Sequence, residues 1–194
     1  EHQKVLADAL PSIEWWRIPN GTHIFGDHRV VLVRGIMDWL TRFKDPLGFG
    51  NPKGLVVRSP TEADHARVLN VMTEWWGGRD LTSLLPRLYF QHFTDTSFIV
   101  EKNGEMVAFL IGFMSQSQPH VAYIHFVGVH PEQRKNGLAK YLYGRFFALA
   151  RSRGAREVHC ITATVNTGSI AFHKKVGFEA EEGEMMKFRK VIRG

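Results

Sequence analysis

Between Val127 and Ala139 the sequence reads Val-Gly-Val-His-Pro-Glu-Gln-Arg-Lys-Asn-Gly-Leu-Ala, an apolar run that passes through a polar turn into an amphipathic stretch. The first N–H groups of a helix lack internal acceptors and carry the positive end of its dipole, so such a junction can hold a phosphate. Gly137 lets the backbone come close to an oxyanion, and Ala139 keeps that approach nearly open. Arg134, Lys135 and Lys140 add positive charge around it. An ordinary strand–turn–helix with a solvated basic turn has the same pattern, and the loop alone leaves the two readings level. Upstream, Tyr123 and His125 lie two apart in an apolar run and so share one strand face. An imidazole there can accept a proton, directly or through water, and a tyrosine can shape a pocket. Two half-buried polar residues satisfied by their neighbours are the equal alternative. The histidines show no metal-ligand spacing and no paired-cysteine motif exists, so no metal is expected. Cys160, in an apolar run, reads as core.

The elements that must position these groups follow from periodicity and punctuation. Lys44 to Gly54 packs three Gly and two Pro into eleven residues and reads as a linker. Before it, Ile13–Ile18 and Thr22–Phe25 flank a Pro-Asn-Gly turn, Arg29–Val33 suits a strand and Ile36–Phe43 a short helix. The chain is therefore expected to hold an N-terminal extension, 1–50, of open role, and a main domain, 51–194. In the latter, Leu55–Val57 suits a strand, followed by a helix to about Thr73 capped by Ser59 or Thr61. A second helical stretch spans Leu81 to Phe93, with Pro86 kinking or restarting it. Ser97–Lys102 and Met106–Met114 are strands around Asn103-Gly104, a strong hairpin signal. Val121–Val129 is a strand, Leu138–Ser152 a helix with apolar residues at helical spacing, Glu157–Val165 a strand, Ser169–Val176 a helix and Met185–Ile192 a last strand. The expected fold class is mixed α/β.

Composition bounds the function classes. The chain has 194 residues, 44% apolar and 23% charged, which excludes wholesale disorder. Lys plus Arg exceeds Asp plus Glu by 25 − 19 = 6, which suits an anionic ligand and is equally an ordinary solubility device. No like-charge run or aromatic-and-basic stripe points to nucleic acid. No apolar run approaches the roughly 20 residues of a membrane helix. A single cysteine favours a reducing compartment, and a cytoplasmic protein is expected. Residue 1 is Glu rather than Met, which leaves the natural start and any targeting peptide open.

Arg134-x-x-Gly137-x-Ala139 after Val129-His130-Pro131 resembles the coenzyme-A pyrophosphate loop of the GNAT acetyltransferase superfamily. Asn166-Thr-Gly-Ser169-Ile-Ala-Phe172-His173-Lys-Lys-Val-Gly177-Phe178 is similar to the same family's segment after its fifth strand. The resemblance covers about residues 54 to 194. It implies a mostly antiparallel central sheet with splayed fourth and fifth strands, flanked by helices. The pantetheine arm of acetyl-CoA would enter that gap and pair with backbone at Val127, Gly128 and Val129. The pyrophosphate would sit on the N–H groups of Arg134, Lys135, Asn136, Gly137, Leu138, Ala139 and Lys140. Asn166 would meet the pantetheine arm, with Ser169 beside it in the cofactor set. Many members carry a Tyr where this chain has His173, as acid to the departing sulfur; a His at that place resembles the phosphinothricin-type members. Some members carry a Glu base where this chain has Tyr123; here His125 could accept a proton, directly or through water, and Tyr123 could shape the acceptor pocket. Trp75, Trp76, Arg79, Tyr89, Phe90, His92 and Phe93 fall in the family's acceptor region.

The implied activity is acetyl transfer from acetyl-CoA to a primary amine of a small molecule or peptide, by direct attack in a ternary complex. A catalytically weak acyl-CoA-binding or partner-binding module is the alternative. No nucleic-acid or membrane partner is expected, and a homodimer is left open.

Overall fold

Polar turns and apolar runs of alternating burial divide residues 52–192 into the elements of a single sheet and its covering helices. These are the residues that this structure, a computed structural model, describes; they lie in the second of two units of the chain, 49–194. The expected extension, 1–50, with its hairpin and short helix, lies outside the described residues. The strands are β1 (Val56–Arg58), β2 (Phe98–Lys102), β3 (Glu105–Met114), β4 (Val121–Val129), β5 (Glu157–Ala163), β6 (Glu179–Glu181) and β7 (Met185–Val191). The helices are α1 (Asp64–Trp75), α2 (Leu88–His92), α3 (Leu138–Ser152) and α4 (Thr167–Lys175). Sheet order is β1-β2-β3-β4-β5-β7-β6, antiparallel throughout except between β4 and β5. This is the mixed, mostly antiparallel sheet expected. No helix among the described residues is long and apolar enough to cross a membrane.

Both faces of the central strands are covered. Phe98, Val100 and Leu110 meet Leu138, Leu142, Phe146 and Ala150 of α3, while Ile99, Phe109 and Ile111 meet Val68, Met72 and Trp75 of α1. Alternation on the strands and helical spacing on α1 and α3 produce that two-sided core. Gly112 lets α3 approach: a Cβ there would stand 2.5 Å from the Phe146 ring. Asn103 and Gly104 take φ of 52° and 85°, the left-handed pair of a tight hairpin turn.

The feature that shapes the site is in β4. Ile111 pairs with Phe126 and Gly112 with Ile124, so His125 is an extra residue, a β-bulge. Ala122 and Ile124 face α3, whereas Phe126 joins the α1 side. A bulge bends its strand and disrupts the local ladder. The β4–β5 ladder runs only from Val121 opposite Glu157 to Tyr123 opposite His159. Beyond that rung the strands continue unpaired with each other, to Val129 and Ala163. The expected splaying is present.

Three expectations change. Neither Ser59 nor Thr61 caps α1; the Asp64 carboxylate instead accepts from the Thr61 N–H (2.8 Å) and hydroxyl (2.9 Å), and from Arg58 and Arg67. A charged acceptor with two guanidinium partners outcompetes a neutral hydroxyl. The stretch Leu81–Phe93 is a 3₁₀ turn at Thr82–Leu84 followed by the short α2, because Pro86 has no N–H to continue a helix. β6 was not expected: its three residues are all exposed, so no apolar pattern marks it.

Candidate active site

The turn after β4 presents bare backbone. His130 starts a 3₁₀ turn at Pro131–Gln133, and the Arg134 N–H closes on the Pro131 carbonyl. Lys135 and Gly137 then take φ of 66° and 80°, and Gly137 begins α3 with no side-chain cap. The N–H groups from Lys135 to Lys140 have no acceptor among the described residues, and the first intrahelical bond there is from Tyr141 to Gly137. A Cβ on Gly137 would meet nothing within 4 Å. Glycine is required there by its positive φ rather than by crowding, and the space before the N–H row is open. Lys135 and Lys140 are exposed beside it. Arg134 differs from expectation: its guanidinium donates to the Val129 and Trp75 carbonyls and pins the turn to β4 and α1. With no carboxylate in the first turn of α3, the donor set fits a phosphate-bearing cofactor.

Beside the gap, Asn166 caps α4 by accepting the Ser169 N–H (3.2 Å), and its amide nitrogen faces the Thr162 hydroxyl. His173 is 5% exposed. One ring nitrogen, Nδ1, lies 2.7 Å from the Ser169 carbonyl, which only accepts, so Nδ1 carries the proton. Nε2 therefore accepts from the Tyr143 hydroxyl at 2.8 Å. The ring stacks on Phe188 at 4.4 Å. Burial pulls its pKa below the ordinary imidazole value, against the opposing pull of the Ser169 carbonyl. Both nitrogens of His173 are thus engaged inside the core.

Across the sheet, Tyr123 and His125 project toward α2. Tyr123 stacks on Phe113 at 5.3 Å and His125 on Tyr89 at 4.4 Å, with Phe93 closing the cluster against Phe113. The bulge residue His125 donates Nε2–H to the Leu84 carbonyl (2.8 Å), and burial holds it below the ordinary value, so Nδ1 is bare. Burial also pushes the Tyr123 phenol up to about 12, keeping it a neutral donor. Trp75 and Phe90 are core, Trp76 packs on Phe109 and Phe126, and Arg79 and His92 are exposed. Cys160 is buried and its thiol pushed well up by desolvation.

One group was missed from sequence. Glu157 accepts from His159 Nε2 (2.9 Å) and from Arg189 Nε (2.8 Å), and these partners, Arg189 foremost, hold its carboxyl down to about 2. His159 lines a groove of about 460 Å³ with Tyr123, Ile161, Glu179, Glu181 and Arg189. The available signal was Glu157-x-His159, an acid and an imidazole on one strand face.

The sequence model of the Acetyltransferase (GNAT) family matches residues 65–178. An uncharacterised N-acetyltransferase of Methanocaldococcus jannaschii is 34% identical over 92 residues, 45% of this chain and 41% of that protein. The L-2,4-diaminobutyric acid acetyltransferase of Virgibacillus pantothenticus is 32% identical over 112 residues, 57% of this chain and 68% of its own length. The chain thus spans less than half of the first of these relatives and about two thirds of the second. In fold it is similar to Ard1 of Thermoplasma volcanium, with a TM-score of 0.61 and 19% identity over 73% of this chain and 99% of that one. The diaminobutyrate acetyltransferase of Paenibacillus lautus, solved with L-2,4-diaminobutyric acid and coenzyme A, has a TM-score of 0.55 and 21% identity over 71% of this chain and 95% of that one.

Proposed function

From the premise that the chain belongs to the GNAT acetyltransferase family, and so takes its acetyl group from acetyl-CoA, we propose that it acetylates a primary amine of a small molecule or peptide by direct attack in a ternary complex. The observation that carries this reading is the β4–β5 gap, which opens at Tyr123 and His159 and leads to the unpartnered N–H row at Lys135–Lys140. When bound, acetyl-CoA supplies an activated thioester carbonyl and a thiol leaving group. The N–H row, with Lys135 and Lys140, binds the pyrophosphate. Val127 and Val129, beyond the last rung, turn backbone amides toward the pantetheine arm, while the Gly128 amide is bonded to Phe109 of β3; Asn166 and Ser169 stand on the far side of the gap. Tyr123 and the aromatic cluster around Tyr89 exclude water where the amine must approach. His125, neutral with a bare Nδ1, can accept a proton there. To act as acid to the leaving sulfur, His173 must both give up its bond to Tyr143 and gain a proton on Nε2.

The test is thiol release from acetyl-CoA with tyramine, agmatine, 2,4-diaminobutyrate and a peptide amine, beside calorimetric titration of acetyl-CoA. Saturable release that requires an amine is expected. Tight acetyl-CoA binding with no amine-dependent release would instead favour the binding-module alternative.

A further inference from the structure

We propose that His159, held by Glu157, is the base that takes the proton from the attacking amine; this rests on the acetyltransferase reading above. His159 stands opposite Tyr123 on the last rung of the β4–β5 ladder, on the same sheet face, where the two strands begin to part. It lines the groove on that face, with its side chain 31% exposed, so a ligand in the groove can touch it.

The Glu157 carboxylate fixes the proton on Nε2, and Nδ1 has no partner among the described residues. A carboxylate behind an imidazole orients it and stabilises the cation formed when the other nitrogen accepts a proton. The other two histidines at the gap lack this arrangement. His173 has both nitrogens engaged, and His125 is backed by a carbonyl and packed between Tyr89 and Phe126. The charged and titratable groups facing His159 are Glu157 on its own strand, Tyr123 on β4, Glu179 and Glu181 on β6, and Lys187 and Arg189 on β7. Arg189 grips both oxygens of Glu157 and keeps it ionised and fixed.

The step balances as follows. The amine enters neutral and its nitrogen forms the bond to the acetyl carbon while His159 Nδ1 takes one N–H proton. The C–S bond breaks with its electron pair on sulfur, and the imidazolium proton passes through water to that thiolate.

The full chain serves for the test, with whichever of the four amines above is turned over. His159→Gln should lower kcat/KM about a hundredfold at neutral pH, the scale of general base catalysis. The acid limb of the kcat/KM–pH profile should vanish with it, while the calorimetric Kd for acetyl-CoA stays within twofold. Glu157→Gln should lose about tenfold and keep the limb, displaced. A loss in His159→Gln that leaves the acid limb in place would overturn the proposal, as would undiminished activity. Nitrogen NMR of labelled histidine supplies a readout independent of turnover: His159 should be the Nε2–H tautomer, and an Nδ1–H tautomer would also overturn it. If acetyl-CoA binds and no amine is acetylated, the acetyl-transfer reading falls, while the tautomer still decides the geometry of His159.

Discussion

The two sides of the β4–β5 gap are made of different materials. On the α3 side the groups proposed to meet the cofactor are backbone: the N–H row from Lys135 to Lys140 and the part of β4 beyond its last rung with β5. Two polar side chains of α4 and its cap, His173 and Asn166, are spent on local structure, Asn166 capping α4 and His173 bonded to Tyr143 and Ser169. On the opposite side the groups are side chains drawn from separate strands: Tyr123, His159, Glu179 and Arg189. A backbone site needs only one turn of the right conformation, so it is local in sequence. A side-chain site has to be assembled by the sheet, and each residue can be altered without moving the chain.

This contrast can be broken most decisively at His173. If it belongs to the core, His173→Ala removes a stacked ring and orphans the Tyr143 hydroxyl, a loss of about 2–4 kcal/mol in chemical denaturation. His173→Ala with unchanged stability and a hundredfold lower kcat would place it with the reacting groups instead, and the α3 side would then use a side chain after all.

A smaller effect sharpens the backbone half of the comparison. Gly137→Asp sets a negative charge and a strained φ of +80° before the N–H row. The Kd for acetyl-CoA should rise at least tenfold, about 1.4 kcal/mol, with the KM for the amine little changed. Equal rises in both would mean that the two sides are not separate.

The smallest effect is on pH dependence. Burial holds both His125 and His173 below the ordinary imidazole value of 6.5. The folded chain therefore binds fewer protons than the unfolded one near that pH, and stability falls as pH is lowered through about 6.5. Denaturation midpoints at about pH 7.5 and 5.5 should differ less in His173→Gln than in the parent protein. A parallel fall in both would remove His173 from the buried set.

Strand periodicity and the apolar spacing of Leu138, Leu142 and Phe146 were enough to read β4 and α3 to their observed ends. Local patterns suffice when one element's own residues decide its conformation. β6 escaped because Glu179–Glu181 is an exposed edge without an apolar phase. The helical stretch expected over Leu81–Phe93 does restart after Pro86, but as the short α2 following a 3₁₀ turn, pieces too short to reveal a period.

The sequence by itself determined the strand–turn–helix around Gly137, since positive φ and unpartnered N–H groups are properties of a few consecutive residues. It also determined the family resemblance, which rests on two such contiguous segments. Tertiary structure decided what the individual side chains do. The Arg134 guanidinium went to the Val129 and Trp75 carbonyls, and His173 went into the core against Phe188. Glu157, His159 and Arg189 came together because β5 and β7 pair in the register that sets His159 opposite Arg189. A side chain's partners are chosen by which strands lie beside it, and that is fixed by burial of the whole sheet rather than by any neighbour in sequence.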